Sequence, residues 1–185
     1  YKAVVGVDDK EYSRELTVLK DPISDGKLED IEEQVALSLE LRDAMNLVVT
    51  LINKVEVIRS ELDVLKSELK KKSDVREADR LQGVATKIAG NLNDIHLTGA
   101  REDAFRSPMK LYGRLSALAS DLSASGIDFK PTDQQSAVYE VLNKRLMTSR
   151  NDFDELVKKD IEAFNKRLNA LDMKISLEKK MKEGE

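Results

Sequence analysis

An uninterrupted run from Leu28 to Lys71, without glycine or proline, is the feature that most constrains this chain. Apolar residues recur in it at steps of three or four, with one double step across Ser38, which is the spacing of one α-helix face. They are Leu28, Ile31, Val35, Leu41, Met45, Val48, Ile52, Val55, Ile58, Leu62, Leu65 and Leu69. At about 1.5 Å per residue, the run predicts a helix about 65 Å long. Such a helix needs partners along its length, because a helix gains most of its stability by packing its apolar face.

A second long helix is predicted over residues 131–175, near the end of the chain. Thr132 and Gln135 have the spacing of a capping box, which marks its start. Its apolar stripe consists of Val138, Val141, Leu142, Leu146, Phe153, Leu156, Ile161, Phe164, Leu168, Leu171 and Ile175. The two long helices are therefore expected to have nearly equal lengths.

Two shorter helices are predicted between the long ones. The first begins at the capping residues Ser73 and Asp74 and ends at Gly99. The second begins at Ser107-Pro108, with serine as the N-cap and proline in the first turn, and ends at Gly126.

The order long, short, short, long predicts an all-α fold, an elongated antiparallel bundle of four helices over residues 23–185. The two short helices together have the length of one long helix, so two topologies fit. The short helices can run down and back up beside the long ones, or they can lie end to end as one broken middle helix. We favour the up-down-up-down form, because short connections favour antiparallel neighbours.

Residues 1–22 differ from the rest of the chain, because apolar and polar residues alternate in two short runs. The apolar members are Tyr1, Ala3, Val5 and Val7 before a polar turn at 8–11, and Tyr12, Leu16 and Val18 after it. This pattern predicts a β-hairpin. A lone hairpin is marginal in water, so it either packs on the helices or is the remnant of a preceding β-sandwich domain. We favour the second interpretation.

The composition suits long amphipathic helices: of 185 residues, 36% are charged and only 4% are aromatic. The net charge of −4 argues against a general nucleic-acid surface. The basic run Lys70-Lys71-Lys72 is interpreted as a solvated helix end. The absence of cysteine excludes disulfides and thiolate metal sites, and no stretch approaches the ~20 apolar residues of a transmembrane helix.

No pattern predicts a catalytic, cofactor-binding or metal-binding residue. His96 is the single histidine, Asp94 would point to a different helix face, and a zinc site needs three or four ligands. The acidic residues that could be paired for acid–base chemistry are Glu56, Glu61, Glu155, Asp160 and Glu162. They are interpreted as a solvated surface, with Glu155 and Lys159 as an ion pair four residues apart.

Asparagine and glycine occur inside the predicted helices, where both are poor helix formers. The asparagines are Asn46, Asn53, Asn91, Asn93, Asn143 and Asn165. Some of them are expected to face inward and to fix the register by hydrogen bonds between helices. Gly83 and Gly90 lower helix stability, and a close approach of a neighbouring helix is the expected compensation.

Several segments, taken together and in order, resemble one protein family. They are residues 1–22, 39–43 (Leu-Glu-Leu-Arg-Asp), 52–55, 58–59, 107–115 (Ser-Pro-Met-Lys-Leu-Tyr-Gly-Arg-Leu), 131–135 and 160–165. The first segment resembles the end of a β-sandwich module in large bacterial proteins with BNR/Asp-box repeats. These are sortilin-like (VPS10-like) propeller proteins, often labelled glycosyl-hydrolase-like. A helical C-terminal region follows in that family, and the later segments are similar to it.

The resemblance implies a bacterial, exported parent protein, and hence a periplasmic, cell-surface or secreted location. Any glycosidase-like or ligand-binding activity would lie in the parent's propeller. The chain is therefore expected to be a non-catalytic C-terminal helical accessory or interaction module, without a cofactor. Its expected partners are the preceding domains of the same polypeptide and another protein. The alternative is a free-standing coiled-coil-like scaffold that oligomerises through an exposed apolar stripe. A small enzyme or metal carrier is disfavoured by the single histidine and the absent cysteines.

Overall fold

The computed structural model describes residues 1–93, 108–124, 128–171 and 173–176. Its elements are β1 (Lys2–Val7), β2 (Lys10–Glu15), α1 (Leu28–Glu68), α2 (Lys72–Leu92), α3 (Leu111–Ala124), α4 (Asp133–Glu155), a π-helical turn (Leu156–Ile161), α5 (Glu162–Leu168) and a 3-10 turn (Asn169–Leu171). From α4 to the 3-10 turn the helix is continuous, and we call it the C-terminal rod. The predicted all-α bundle of four helices, long-short-short-long after a hairpin, is confirmed.

The two short helices lie end to end along α1. Gln82 of α2 donates from Nε2 to Asp63 Oδ1 at 3.2 Å, in the C-terminal half of α1. Gln34, in the N-terminal half of α1, donates from Nε2 to the carbonyl of Leu122 in α3 at 3.1 Å. The up-down-up-down topology favoured from the sequence is therefore wrong, and the broken middle helix is found. Each short helix covers a different half of α1, so the apolar face of α1 is covered along its length.

The C-terminal rod lies beside α1, as predicted for the two long helices. It runs in the same direction as α1, whereas the up-down-up-down form would make the two antiparallel. Tyr139 of α4 lies beside Glu40 of α1, and burial raises the pKa of Tyr139, with Glu40 adding to the effect. At the other end, Lys174 and Ile175 adjoin Glu61 and Leu65 of α1. The middle helices run antiparallel to both long ones, since Arg80 reaches Asp160 and Arg167 reaches Asp74.

The core is aliphatic apart from Phe153 and Phe164, and α1 uses a face that differs from the predicted one at its N-terminal end. Its buried residues are Leu37, Leu41, Ala44, Val48, Leu51, Val55, Ile58, Leu62 and Leu65. Leu28 and Val35, which were assigned to the core, are 59% and 50% exposed. The reason is that α1 carries apolar residues on its outer side as well, where Leu39 is also exposed.

A π-helical turn at Leu156–Ile161 keeps the C-terminal rod in phase with the core. Its buried residues advance by three or four up to Leu156, then by five to Ile161, and again by three or four to Phe164 and Leu168. A π-helical turn is closed by a hydrogen bond between residues five apart, whereas the bonded residues of an α-helix are four apart, so the turn holds one extra residue. The turn therefore places both Leu156 and Ile161 in the core.

The helix starts agree with the predictions only in part. The capping box of α4 is confirmed, because Gln135 N donates to Thr132 Oγ1 at 3.2 Å and Thr132 N donates to Gln135 Oε1 at 2.9 Å. Ser73 and Asp74, predicted as caps, lie inside the first turn of α2. Pro108 was predicted as the first helical residue, and this is wrong, because residues 108–110 are not helical and α3 begins at Leu111. Ser107 and the predicted ends at Gly99 and Gly126 fall outside the described residues.

The interior glycines of α2 do not mark a close helix approach. A Cβ atom on Gly83 or Gly90 would meet nothing within 4 Å beyond the backbone of its own helix, so this prediction is wrong. Gly26, just before α1, is the glycine with a packing role. It is buried, and an added Cβ would collide with the backbone carbonyl of Asp128.

Candidate functional site

Three of the acidic residues considered for chemistry, Glu56, Glu155 and Asp160, form ion pairs on the bundle surface. Glu155 accepts from Lys159 Nζ at 2.6 Å, and Asp160 accepts from Arg80 Nη2 at 2.9 Å. Glu56 accepts from Arg59 at 2.7 Å. In the described ranges no three carboxylates or histidines gather as they would around a metal ion. His96 and Asp94 fall outside those ranges.

The asparagines play a smaller role than expected. Four of them, Asn46, Asn53, Asn91 and Asn93, are exposed, and Asn143 is half-buried. Asn165 is half-buried and hydrogen-bonds the backbone of residue 175, beyond the end of its own helix. It therefore fixes the end of the chain and does not link two helices.

The hairpin is the part of the described chain with a surface unlike the rest. Its two strands pair antiparallel from Lys2 opposite Glu15 to Val7 opposite Lys10, so the turn consists of Asp8 and Asp9 alone. Asp8 has φ 52°, in the left-handed region that such a two-residue turn requires. Tyr1 and Leu16 extend the pairing, each donating its N–H to the other's carbonyl at 2.9 Å. The strand predicted to continue to residue 19 ends at Glu15.

This pairing places most apolar side chains on one side of the hairpin. Residues directly opposite each other share a face, and successive residues alternate between faces. We call the side formed by six of these residues the apolar hairpin face: Tyr1, Ala3, Val5, Val7, Tyr12 and Leu16. Lys10 and Arg14, which lie opposite Val7 and Ala3, are on the same side. The opposite side carries charged and small residues together with Val4.

Every residue of the apolar hairpin face is exposed to solvent. Val5 and Tyr12, which are cross-strand partners, have 59% and 60% of their surface exposed. Every residue from Tyr1 to Lys20 is exposed, so the hairpin does not pack on the bundle. Soluble proteins rarely leave contiguous apolar side chains in water, and such patches mark interaction sites. The outer edge of each strand is also unpaired, which is a second surface for association.

None of the helices in the described part of the chain carries an apolar stretch that could cross a membrane. Comparison of the chain with known protein families, with curated proteins and with solved structures gives no match.

Proposed function

We propose that this chain is a non-catalytic helical accessory module of a larger exported protein with BNR/Asp-box repeats, and that it docks through its hairpin. The observation that carries the proposal is the apolar hairpin face, which is exposed although the two strands pair with each other from Lys2 to Glu15. Two strands alone bury too little apolar surface to be stable. A β-sandwich domain that precedes the hairpin would supply the missing sheet, and the family resemblance supports that partner.

In this arrangement the helical bundle acts as a spacer or docking element. Its buried apolar residues pack the helices on one another, and the bundle has the shape of a rod. Burial of the apolar hairpin face would fix the rod at one end of the preceding domain. A propeller elsewhere in the polypeptide would carry any ligand-binding or glycosidase-like activity, in a periplasmic, cell-surface or secreted protein.

Hydrogen exchange in two proteins tests the docking. We expect the amides of β1 and β2 to exchange fast in this chain alone and to be protected in the full polypeptide. Paired substitutions on the apolar hairpin face, Val5→Ser with Tyr12→Ser, should remove that protection. Val4→Ser, on the opposite side of the same strand, is the matched control and should leave it intact. Equal exchange with and without the preceding domains would contradict the proposal.

The alternative is an oligomerisation scaffold, and one observation favours it. The outer side of α1 carries five exposed apolar residues, each more than 40% exposed: Leu28, Val35, Leu39, Val49 and Val64. A second copy packed along this side would bury them as a coiled-coil seam. Sedimentation equilibrium separates the two functions. A stable dimer that is lost on Val35→Glu with Leu39→Glu supports the scaffold, whereas a monomer supports the accessory module.

A further inference from the structure

The two outer edges of the hairpin differ in charge. Of the six residues in β1, one is charged, Lys2. Of the six residues in β2, four are charged: Lys10, Glu11, Arg14 and Glu15. Native proteins protect an exposed strand edge against pairing with another strand by placing charged side chains along it. The edge of β2 is protected in this way, and the edge of β1 is not.

The hydrogen bonds between the strands determine which amides face outward. Tyr1 and Leu16 exchange two backbone hydrogen bonds at 2.9 Å. In an antiparallel pair, hydrogen-bonded and non-hydrogen-bonded residue pairs alternate. The next pair, Lys2 and Glu15, therefore directs its N–H and C=O groups away from the hairpin, and so does every second pair up to the turn. We call the outward amides of Lys2, Val4 and Gly6 the β1 edge amides, and those of Glu11, Ser13 and Glu15 the β2 edge amides.

The side chains also favour the edge of β1. On the apolar hairpin face, the residues of β1 are all uncharged, whereas β2 places Lys10 and Arg14 on the same side. Side chains on one face of neighbouring strands interact across the strands. A third strand beside β1 would therefore continue the apolar hairpin face without a charge, whereas a strand beside β2 would meet two cations. Gly6 leaves open space beside the backbone of β1, because even an added Cβ would meet nothing within 4 Å.

We propose that β1 accepts a third strand along its outer edge, and that this strand belongs to the β-sandwich domain on which the hairpin docks. The occupant is an extended segment with uncharged side chains on the side of the apolar hairpin face, bound through backbone hydrogen bonds to β1. Three strands with an apolar face can be stable where a lone hairpin is marginal. The inference rests on the proposed function, and it adds that the hairpin joins its partner's sheet with the charged strand β2 as the new edge.

Hydrogen exchange, resolved by residue, separates this inference from the docking on which it rests. Docking of the apolar hairpin face alone would stabilise the hairpin and protect the inward amides, such as those of Val5 and Tyr12. It would leave the outward amides of both strands in fast exchange. Pairing at the edge of β1 should also slow the β1 edge amides by about tenfold or more in the full polypeptide, relative to this chain alone. The β2 edge amides should stay fast and serve as the internal control.

Proline substitutions at two directly opposite residues test the hydrogen bonds themselves. Val4→Pro removes one β1 edge amide, and Ser13→Pro removes the β2 edge amide opposite it. Both variants should keep the hairpin, since proline is tolerated where its nitrogen faces away from the neighbouring strand. Val4→Pro should return the amides of Lys2 and Gly6 to the fast exchange of this chain alone, while Ser13→Pro should leave them protected. Val4→Ser removes the same side chain but keeps the amide, so it should leave them protected as well.

Four outcomes would overturn the inference. Fast β1 edge amides in the full polypeptide, with the inward amides protected, would remove the edge pairing and leave the accessory function standing. Protection of the β2 edge amides in their place, or an equal loss of protection in the two proline variants, would overturn the assignment to β1. Protection of the β1 edge amides in this chain alone, increasing with its concentration, would assign the edge to a second copy. Fast exchange of the inward amides as well would instead contradict the accessory function itself.

Discussion

Asn165 and Ile175 are joined by two hydrogen bonds that close the C-terminal end of the bundle. Asn165 donates from Nδ2 to the Ile175 carbonyl at 3.1 Å, and the Ile175 amide donates to Asn165 Oδ1 at 2.8 Å. The helix has ended by then, at Leu171, yet Ile175 is 3% exposed. The side-chain amide thus pairs with the backbone as a neighbouring strand would, and it holds a non-helical segment against the core.

Replacing this asparagine tests the closure. Asn165→Ala should lower the free energy of unfolding by about 2 kcal/mol, because two hydrogen bonds are lost at about 1 kcal/mol each. Asn165→Asp keeps the acceptor for the Ile175 amide and loses the donor. Its free energy of unfolding should therefore lie between those of the wild type and the alanine variant. Urea unfolding measures the change in the free energy of unfolding. Hydrogen exchange of the Ile175 amide shows whether the change arises at this contact. Wild-type protection of Ile175 in the alanine variant would contradict the role of the side chain.

Replacing the glycines of α2 with alanine should stabilise the protein. Gly83→Ala and Gly90→Ala should each raise the free energy of unfolding by about 0.5–1 kcal/mol, because alanine is the better helix former. Both positions have open space for the new methyl group. Thermal and urea unfolding of the single and double variants would measure the gain.

Gly26→Ala is the opposite case. The added methyl group would collide with the Asp128 carbonyl, so the two backbone segments must separate. We expect the melting temperature to fall in this variant and to rise in the two α2 variants. A gain at Gly26, or a loss at Gly83, would show that the contacts at these glycines differ from those found.

The π-helical turn should accept the loss of one residue. Deletion of Lys158, whose side chain is 71% exposed, would convert the five-residue turn into an α-helical one and keep Phe164 and Leu168 in the core. Circular dichroism and urea unfolding should show a folded protein of similar stability.

Deletion of Lys144, an exposed residue in the regular part of α4, is the matched control. It would rotate the part of the helix before the deletion by about 100° relative to the part after it, because an α-helix turns by that angle per residue. It should therefore destabilise the bundle severely. An equal loss of stability in the two deletion variants would argue that the π-helical turn does not keep the C-terminal rod in phase with the core.

An ion-pair cluster between α2 and the C-terminal rod should make stability depend on pH. Arg80 Nη2 donates to Glu77 Oε1 at 2.8 Å and to Asp160 Oδ1 at 2.9 Å. The hydrogen bond from Arg80 lowers the pKa of Glu77 below its usual 4.5, although burial acts in the opposite direction. A carboxylate with a lowered pKa stabilises the fold above its unfolded pKa, and this contribution is lost as the pH falls through the folded pKa.

Glu77→Gln should therefore lower the free energy of unfolding at neutral pH by less than about 1 kcal/mol, because the pair is near the surface. The difference from the wild type should shrink as the pH falls below about 4.5. Glu140→Gln, at an exposed position of α4, should have little effect at any pH. Urea unfolding across the acidic range measures both, and a Glu77→Gln difference that stays constant would contradict the expected titration.

The positions of the helices could be predicted because apolar spacing of three and four is a strong local signal. It failed at the start of α1, where Val35 and Leu37 both continue a helical pattern because α1 is apolar on two sides. It also failed in the C-terminal rod, because Val138, Val141 and Leu171 of the predicted stripe are 47%, 53% and 48% exposed. Sequence alone does not say which side meets the other helices. The five-residue step from Leu156 to Ile161 was visible in the predicted stripe, and it could have predicted the π turn.

The topology and the burial of Ser149 could not be predicted in the same way. The end-to-end order of α2 and α3 depends on which half of α1 each covers, and the length of a connection does not decide this. Ser149 is polar and so is not part of the predicted stripe, although its spacing from Leu146 and Phe153 is that of a core residue.

The broken middle helix also divides the bundle into two halves along its length. One half contains the N-terminal part of α1 with α3, and the other contains the C-terminal part of α1 with α2. The two long helices run through both halves. We expect local opening to follow this division, because each half has its own set of buried leucines. A load applied along the rod would then be carried by α1 and its parallel partner, which are the described helices that run through both halves.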